Sequence, residues 1–217
     1  MQGTATRWVP ADHADVTFTV RRRHSTSARA VALASEAYAL LDGTLSGAGD
    51  VIARRTTVAL SVRPLHRHDP ETGRMHRDGF EATRAETVRF APPADAGEVL
   101  RAIAIAVPDL GLAGPHYGLR DDHPVHDQVR AASAADARRV ATAYASGLGL
   151  GLGRVLRITE PGLGGHDGAP APMMFRGAAA KAEGDDGESA ALVELTSEDV
   201  EVTATIEIDF ELADAPG

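Results

Sequence analysis

Nine histidines are the side chains best suited to chemistry in this chain, and six of them gather in two short stretches. His66, His68 and His76 stand beside Asp69 and Asp78 in the polar text HRHDPETGRMHRDG. On a strand, an H-x-H pair carries both imidazoles on one face, the start of a zinc or nickel site. Arg67, Arg74 and Arg77 are interleaved and repel a cation, so a solvated polar tip is the competing expectation. His116, His123 and His126 accompany Asp121, Asp122 and Asp127. General-base work by a His–Asp pair needs a nucleophile, and Ser133, the nearby hydroxyl, lies outside any Gly-x-Ser-x-Gly frame. Acids ahead of a helix also cap it and favour its dipole, with Asp122 or Asp127 as the expected cap.

Three further groups invite a ligand. The glycines 147, 149, 151 and 153 mimic a dinucleotide loop, but they follow a helix and precede a strand. That order is the reverse of the one that aims amides at a phosphate. Helix termination and a tight passage into a sheet explain them instead. The run Arg21-Arg22-Arg23-His24 and the pair Arg54-Arg55 would grip a phosphate or an acidic partner if their strands adjoined. Solvated strand ends are the competing expectation, and the preferred use of both charge groups is pairing of the arginines with the acids Glu201 to Glu211 of the last strand across a subunit boundary. Met173, Met174 and Phe175 form an apolar patch that suits docking to a protein partner.

Composition bounds these options. Without cysteine the chain has no disulfide, thiolate nucleophile, iron–sulfur cluster or Cys-type zinc site. Its 22 Lys+Arg against 31 Asp+Glu give a net charge of -9, opposite to the footprint of a nucleic-acid or anionic-membrane binder. Aromatics are 4% of the chain, so the core is expected to be aliphatic and rich in alanine. No apolar run approaches a membrane span, and the start MQGTATRWVP lacks the apolar region of a secretory signal. The expectation is a cytoplasmic protein without a cofactor.

The elements that position these residues follow from periodicity. Residues 15–22, DVTFTVRR, alternate as a half-buried strand. A helix is expected over 25–45, started by Ser25 or Ser27 and stopped at Gly47. Residues 54–63 alternate again through Val58, Leu60 and Val62, with Pro64 expected to end the run. A turn at Asp-Pro-Glu-Thr-Gly leads to a strand over 80–90. Helices are expected from Pro92 and Pro93 to Val107 and over 127–147, with short strands at 116–119 and 154–160. The alanines of the second of these helices form a stripe that permits close packing on a sheet. Residues 162–191 lose all periodicity and are expected to form an excursion loop. Residues 199–212 alternate most clearly, with Val200, Val202, Ile206, Ile208 and Phe210 on one side and acids and threonines on the other. The element order gives an α+β class with a predominantly antiparallel sheet and long amphipathic helices packed on it.

Taken in order, DVTFTV before a helix, GDVIARRTTVALSVRP entering a hairpin, AASAADARRVATAYASGLGLGLGRVLRITEPG, and the closing VEVTATIEIDFEL resemble the SIMPL domain family. The most specific stretch runs from Asp136-Ala137-Arg138 into Gly153-Arg154-Val155-Leu156. This family includes bacterial periplasmic immunogenic and oxidative-stress-defence proteins of unknown biochemical function. The resemblance implies one compact domain over residues 8–212 that self-associates, and it carries over no catalytic residue. The resulting expectation is a non-enzymatic homo-oligomeric scaffold or stress-associated binding protein. Contacts are expected through Val200, Val202, Ile206, Ile208 and Phe210 and through Met173, Met174 and Phe175. The alternatives are a small-ligand or metal-binding protein using His66, His68 and His76, or a protein-binding adaptor.

Overall fold

The computed structural model describes residues 1–70, 73–160 and 198–214. About half of the described residues lie in strands, all paired antiparallel, and three helices complete an α+β fold. Contacts gather in two compact units. The excursion over 162–191, with Met173, Met174 and Phe175, lies outside the described residues.

One unit is built from the two ends of the chain. Strand β1 (Gln2–Pro10), β7 (Leu150–Thr159) and β8 (Asp199–Asp214) form a sheet in the order β1-β8-β7, and helix α3 (Val125–Gly147) packs on it. The side chains of α3 that meet the sheet include Ser133, Ala137, Ala141 and Ala145, all buried. Such small residues let the helix come close. At Gly3 the approach leaves no room for a side chain, because a Cβ would overlap the Ser133 carbonyl oxygen and the Ala137 amide. The Asp136 carboxylate then accepts a hydrogen bond from the Thr4 amide at 3.2 Å and fastens the helix to the edge of β1.

β1 has no counterpart in the sequence expectation. Its inward residues are Gly3, Ala5, Arg7 and Val9, too small or too polar to show a hydrophobic period. The same close helix that needs small residues removes the signal that would reveal the strand.

The second unit holds β2 (His13–His24), α1 (Ser27–Ser46), β3 (Ile52–Thr57), β4 (Ser61–His68), β5 (Met75–Phe90), α2 (Gly97–Ala106) and β6 (Leu110–Gly118). Its sheet runs β3-β5-β2-β6, with β4 taking over from β3 along β5. The residues Ala14, Val16, Phe18 and Val20 of β2 and Ala82, Val88 and Phe90 of β5 are buried together with Ala30, Ala34, Tyr38, Leu41 and Leu45 of α1. Leu100 and Ile103 of α2 close this aliphatic core.

The run expected over 54–63 is two strands, not one. The chain leaves β3 after Thr57 and re-enters the sheet at Ser61. Pro64 sits inside β4 opposite Phe80 rather than ending it. β4 pairs only with β5, so the missing proline N–H falls on the edge without loss of a ladder bond. Val58 and Val62 are consequently exposed. β5 is longer than expected because it begins in the polar text Met75–Gly79, and β6 begins six residues early, at Leu110, where two glycines and a proline interrupt the apolar period.

Gly3→Val is expected to destabilise the protein by about 2–3 kcal/mol in urea unfolding, since the backbone of α3 must retreat. Gly43→Ala, at an open position inside α1, is expected to stabilise it by about 0.5–1 kcal/mol.

Candidate functional site

The hairpin register decides the histidine question. His66 faces Arg77, Arg67 faces His76 and His68 faces Met75, after a bulge between Leu65 and His66. Cross-strand partners share a face, so His66 and His68 lie on one side and His76 on the other. At the tip a hollow of about 280 Å³ is lined by Arg67, His68, Asp69, Pro70 and His76. His76 Nε2 stands 3.9 Å from Asp69 Oδ2. Among the described residues no three His, Asp or Glu side chains come together as a metal ion requires. The extra residue of the bulge is the physical reason that the three imidazoles separate.

The second histidine group builds a helix start. His123 Nδ1 accepts a hydrogen bond from the Val125 amide at 3.2 Å, the role expected of Asp122 or Asp127. Pro124 occupies the cap position and offers no capping side chain. His126 is buried and its Nε2–H donates to the Arg120 carbonyl at 3.1 Å. Ser133 is buried as well, and its hydroxyl donates to the Arg130 carbonyl at 2.8 Å. A hydroxyl so engaged beneath a helix is not presented to a substrate. The glycine run ends α3 and turns at Gly149 with φ of 71°, then enters β7.

Two carboxylates that the sequence reading does not single out, Glu86 and Glu81, capture two of the arginines that it does, Arg55 and Arg23. Glu86 is 1% exposed and lies beneath α1, where Arg55 forks its carboxylate with Nε at 2.6 Å and Nη2 at 3.1 Å. The Tyr38 hydroxyl donates to the same carboxylate at 2.8 Å, and the Arg84 guanidinium stacks 3.5 Å from the Tyr38 ring. The Glu86 hydrogen bonds raise the Arg55 pKa above its ordinary value against the opposing effect of burial, and Asp42 adds to the rise. Glu81, 3% exposed on the other face of β5, is held between Arg23 at 2.8 Å and Arg63 at 2.6 Å. Those hydrogen bonds, Arg23 first, keep its carboxyl below the usual glutamate range despite burial. The signal available in the sequence was the register: Glu86 falls in the series Ala82, Arg84, Glu86, Val88, Phe90, where a core strand has apolar residues.

The two arginine groups do not converge. β2 and β3 lie on opposite sides of β5, and Arg54 pairs with Arg89 next to Asp15, whereas Arg21 and Arg23 pair with Thr83 and Glu81. Arg21 and Arg23 stand six and eight residues from the Asp15 row along β2, about 20 and 27 Å. Nor do the acids of β8 all await a partner. Arg154 reaches Glu211 at 2.9 Å and Arg157 reaches Asp209 at 2.9 Å within the same sheet.

The apolar side of β8 also has an occupant. Val200, Val202 and Ile208 are buried, and Ile206 and Phe210 are half-buried, on the side where α3 packs. Helix α3 is the neighbour these side chains have within the chain. Among the described residues, β7 is a strand with exposed apolar side chains. Two bulges against β8, one between Leu152 and Val155 and one between Val155 and Arg157, break its alternation. They send Arg154 and Arg157 to the acidic face and Val155 and Ile158 to the helix side, with Leu156 the extra residue of the second bulge beside them. There these three side chains are 48%, 58% and 61% exposed.

Among the described residues, exposed surfaces are the candidates for function. Residues 1–210 match the family model SIMPL, described as a protein of unknown function (DUF541). The chain belongs to the SIMPL family. No curated protein matches it. The match covers both compact units, so the family pattern includes β1, which the periodicity alone had not revealed. No helix among the described residues of this SIMPL protein is long and apolar enough to cross a membrane.

Glu81 links stability to acid. Its folded pKa is depressed, so the unfolded chain binds the proton more readily and the stabilisation is present above the ordinary glutamate pKa. It is lost as pH falls through the folded pKa. Glu81→Gln is expected to cost about 1–2 kcal/mol at neutral pH, with the deficit shrinking in acid. Urea midpoints measured across the acid range check this, and a deficit independent of pH would refute it.

Proposed function

We propose that this SIMPL protein is a non-enzymatic, self-associating scaffold, and that the aliphatic strip on β7 is its first contact with a second copy. The observation that carries this reading is the sorting of β7 by its two bulges. Val155, Leu156 and Ile158 form an uncharged strip while Arg154 and Arg157 are neutralised on the far face by Glu211 and Asp209. A strip whose own charges are already paired can meet its symmetry mate without repulsion. Each half-exposed aliphatic side chain contributes about 1 kcal/mol or more when removed from water.

Other features favour the scaffold over a catalyst. Ser133 and His126 spend their polar atoms on backbone carbonyls, and the hairpin histidines stand on opposite faces. The most deeply buried carboxylates, Glu81 and Glu86, are each gripped by arginine.

Light scattering is expected to give a mass that is a multiple of 22.7 kDa. The double variant Leu156→Lys, Ile158→Lys is expected to weaken association more than about tenfold, while Leu40→Lys on the exposed side of α1 leaves it unchanged. A wild-type protein that stays at monomer mass at every concentration overturns the reading.

A further inference from the structure

The faces of the two sheets turned away from their helices carry matching patterns of opposite charge. On β2 the outward residues are Asp15, Thr17, Thr19, Arg21 and Arg23. On β8 they are Glu201, Thr203, Thr205, Glu207 and Asp209. The two strands thus share one pattern, an acid, two threonines and two charges, in which the last two charges are reversed. The threonines are ridged in the same way. Thr17 meets Thr87 with oxygens 2.9 Å apart, and Thr6 meets Thr203 at 2.9 Å and Thr4 meets Thr205 at 3.4 Å.

Neighbouring strands strengthen the opposition. Around β2 the ladder adds Arg89 and Arg54 at one end and Glu81 and Arg63 at the other. That face carries five arginines to two carboxylates, in a chain whose net charge is -9. Around β8 the same face holds Asp199, Glu201, Glu207, Asp209 and Glu211 against Arg154 and Arg157. Trp8, 60% exposed and the sole tryptophan, pairs with Glu201 on this acidic face.

From this complementarity we infer that the arginine face around β2 docks the acidic face around β8 of another copy. Aligned with strands in the same direction, threonine lies over threonine, Arg21 and Arg23 oppose Glu207 and Asp209, and Glu201 falls over Asp15, whose charge Arg89 already neutralises at 2.8 Å, with Arg54 in the same row to receive it. Packed sheets stand about 10 Å apart, a gap that arginine and glutamate side chains bridge from both sides. The contact joins two different surfaces, and each copy offers one of each, so every copy can engage through both. The inference rests on the proposed self-association, but it uses surfaces distinct from the β7 strip.

Salt and charge reversal separate the two. Trp8 reports burial of the acidic face through its emission, and light scattering reports size. In the wild-type protein, raising salt from 0.05 to about 0.5 M, where screening shortens to a few ångströms, is expected to shift Trp8 emission to the red and reduce the mass. The contact through the aliphatic strip persists in salt. Arg21→Glu with Arg54→Glu, and separately Glu201→Arg with Glu207→Arg, are each expected to weaken assembly about a hundredfold. Mixing the two variants restores it, because the two retained faces dock and the two reversed faces are again opposite in charge. Circular dichroism establishes that they are folded, and the neutral pair Arg21→Gln, Arg54→Gln gives a smaller loss in the same direction. Assembly that ignores salt, with reversed variants assembling like wild type and Trp8 unmoved, overturns this inference and leaves the β7 contact standing. A monomer under all conditions overturns both.

Discussion

The two-residue period of β2 and β8 is the constraint on which the rest of the structure depends. A strand that buries one side beneath a helix must give its other side residues that tolerate water, and both strands answer with threonine ridges and charge. Val16, Phe18 and Val20 are sealed under α1, and Val200, Val202 and Ile208 lie on the side of α3. The sign of the outward charge is left free by folding, since either sign is equally soluble. It is cationic beyond Thr19 and anionic beyond Thr205. That freedom is what makes the outward residues informative about function in a way the inward ones are not.

Departures from the period do the sorting that strict alternation cannot. In a regular strand Arg154 and Arg157 would fall on opposite faces, and one guanidinium would share the helix side with aliphatic neighbours. Two bulges bring both to the acidic face, where Glu211 and Asp209 receive them. The same device in the hairpin, between Leu65 and His66, parts histidines that linear spacing had grouped. Bulges thus both created the apolar strip of β7 and dissolved the candidate metal site.

Buried carboxylates show a different economy. Glu86 and Glu81 sit on opposite faces of β5, each surrounded by arginine donors, and each fixes the pieces around it: Glu86 joins α1 to β3 through Tyr38 and Arg55, and Glu81 joins β2 to β4 through Arg23 and Arg63. A buried ion pair adds little net stability against an apolar alternative, yet losing one partner is expensive, so such groups specify register more than they stabilise. β5 is where that specification matters, because three other strands align on it.

Local pattern by itself determined the three helices, the course of β2 and β8, and the antiparallel α+β class, since these rest on periods that each segment writes for itself. It also placed the threonines and charges of both strands on their outward sides. Tertiary structure alone decided β1, whose small inward residues answer to a helix more than a hundred residues away. It alone placed Pro64 on an edge, separated His76 from His66 and His68, and packed α3 on the apolar side of β8. Those outcomes depend on which strands become neighbours and where an extra residue enters a ladder, and neither is written in the spacing of any one segment.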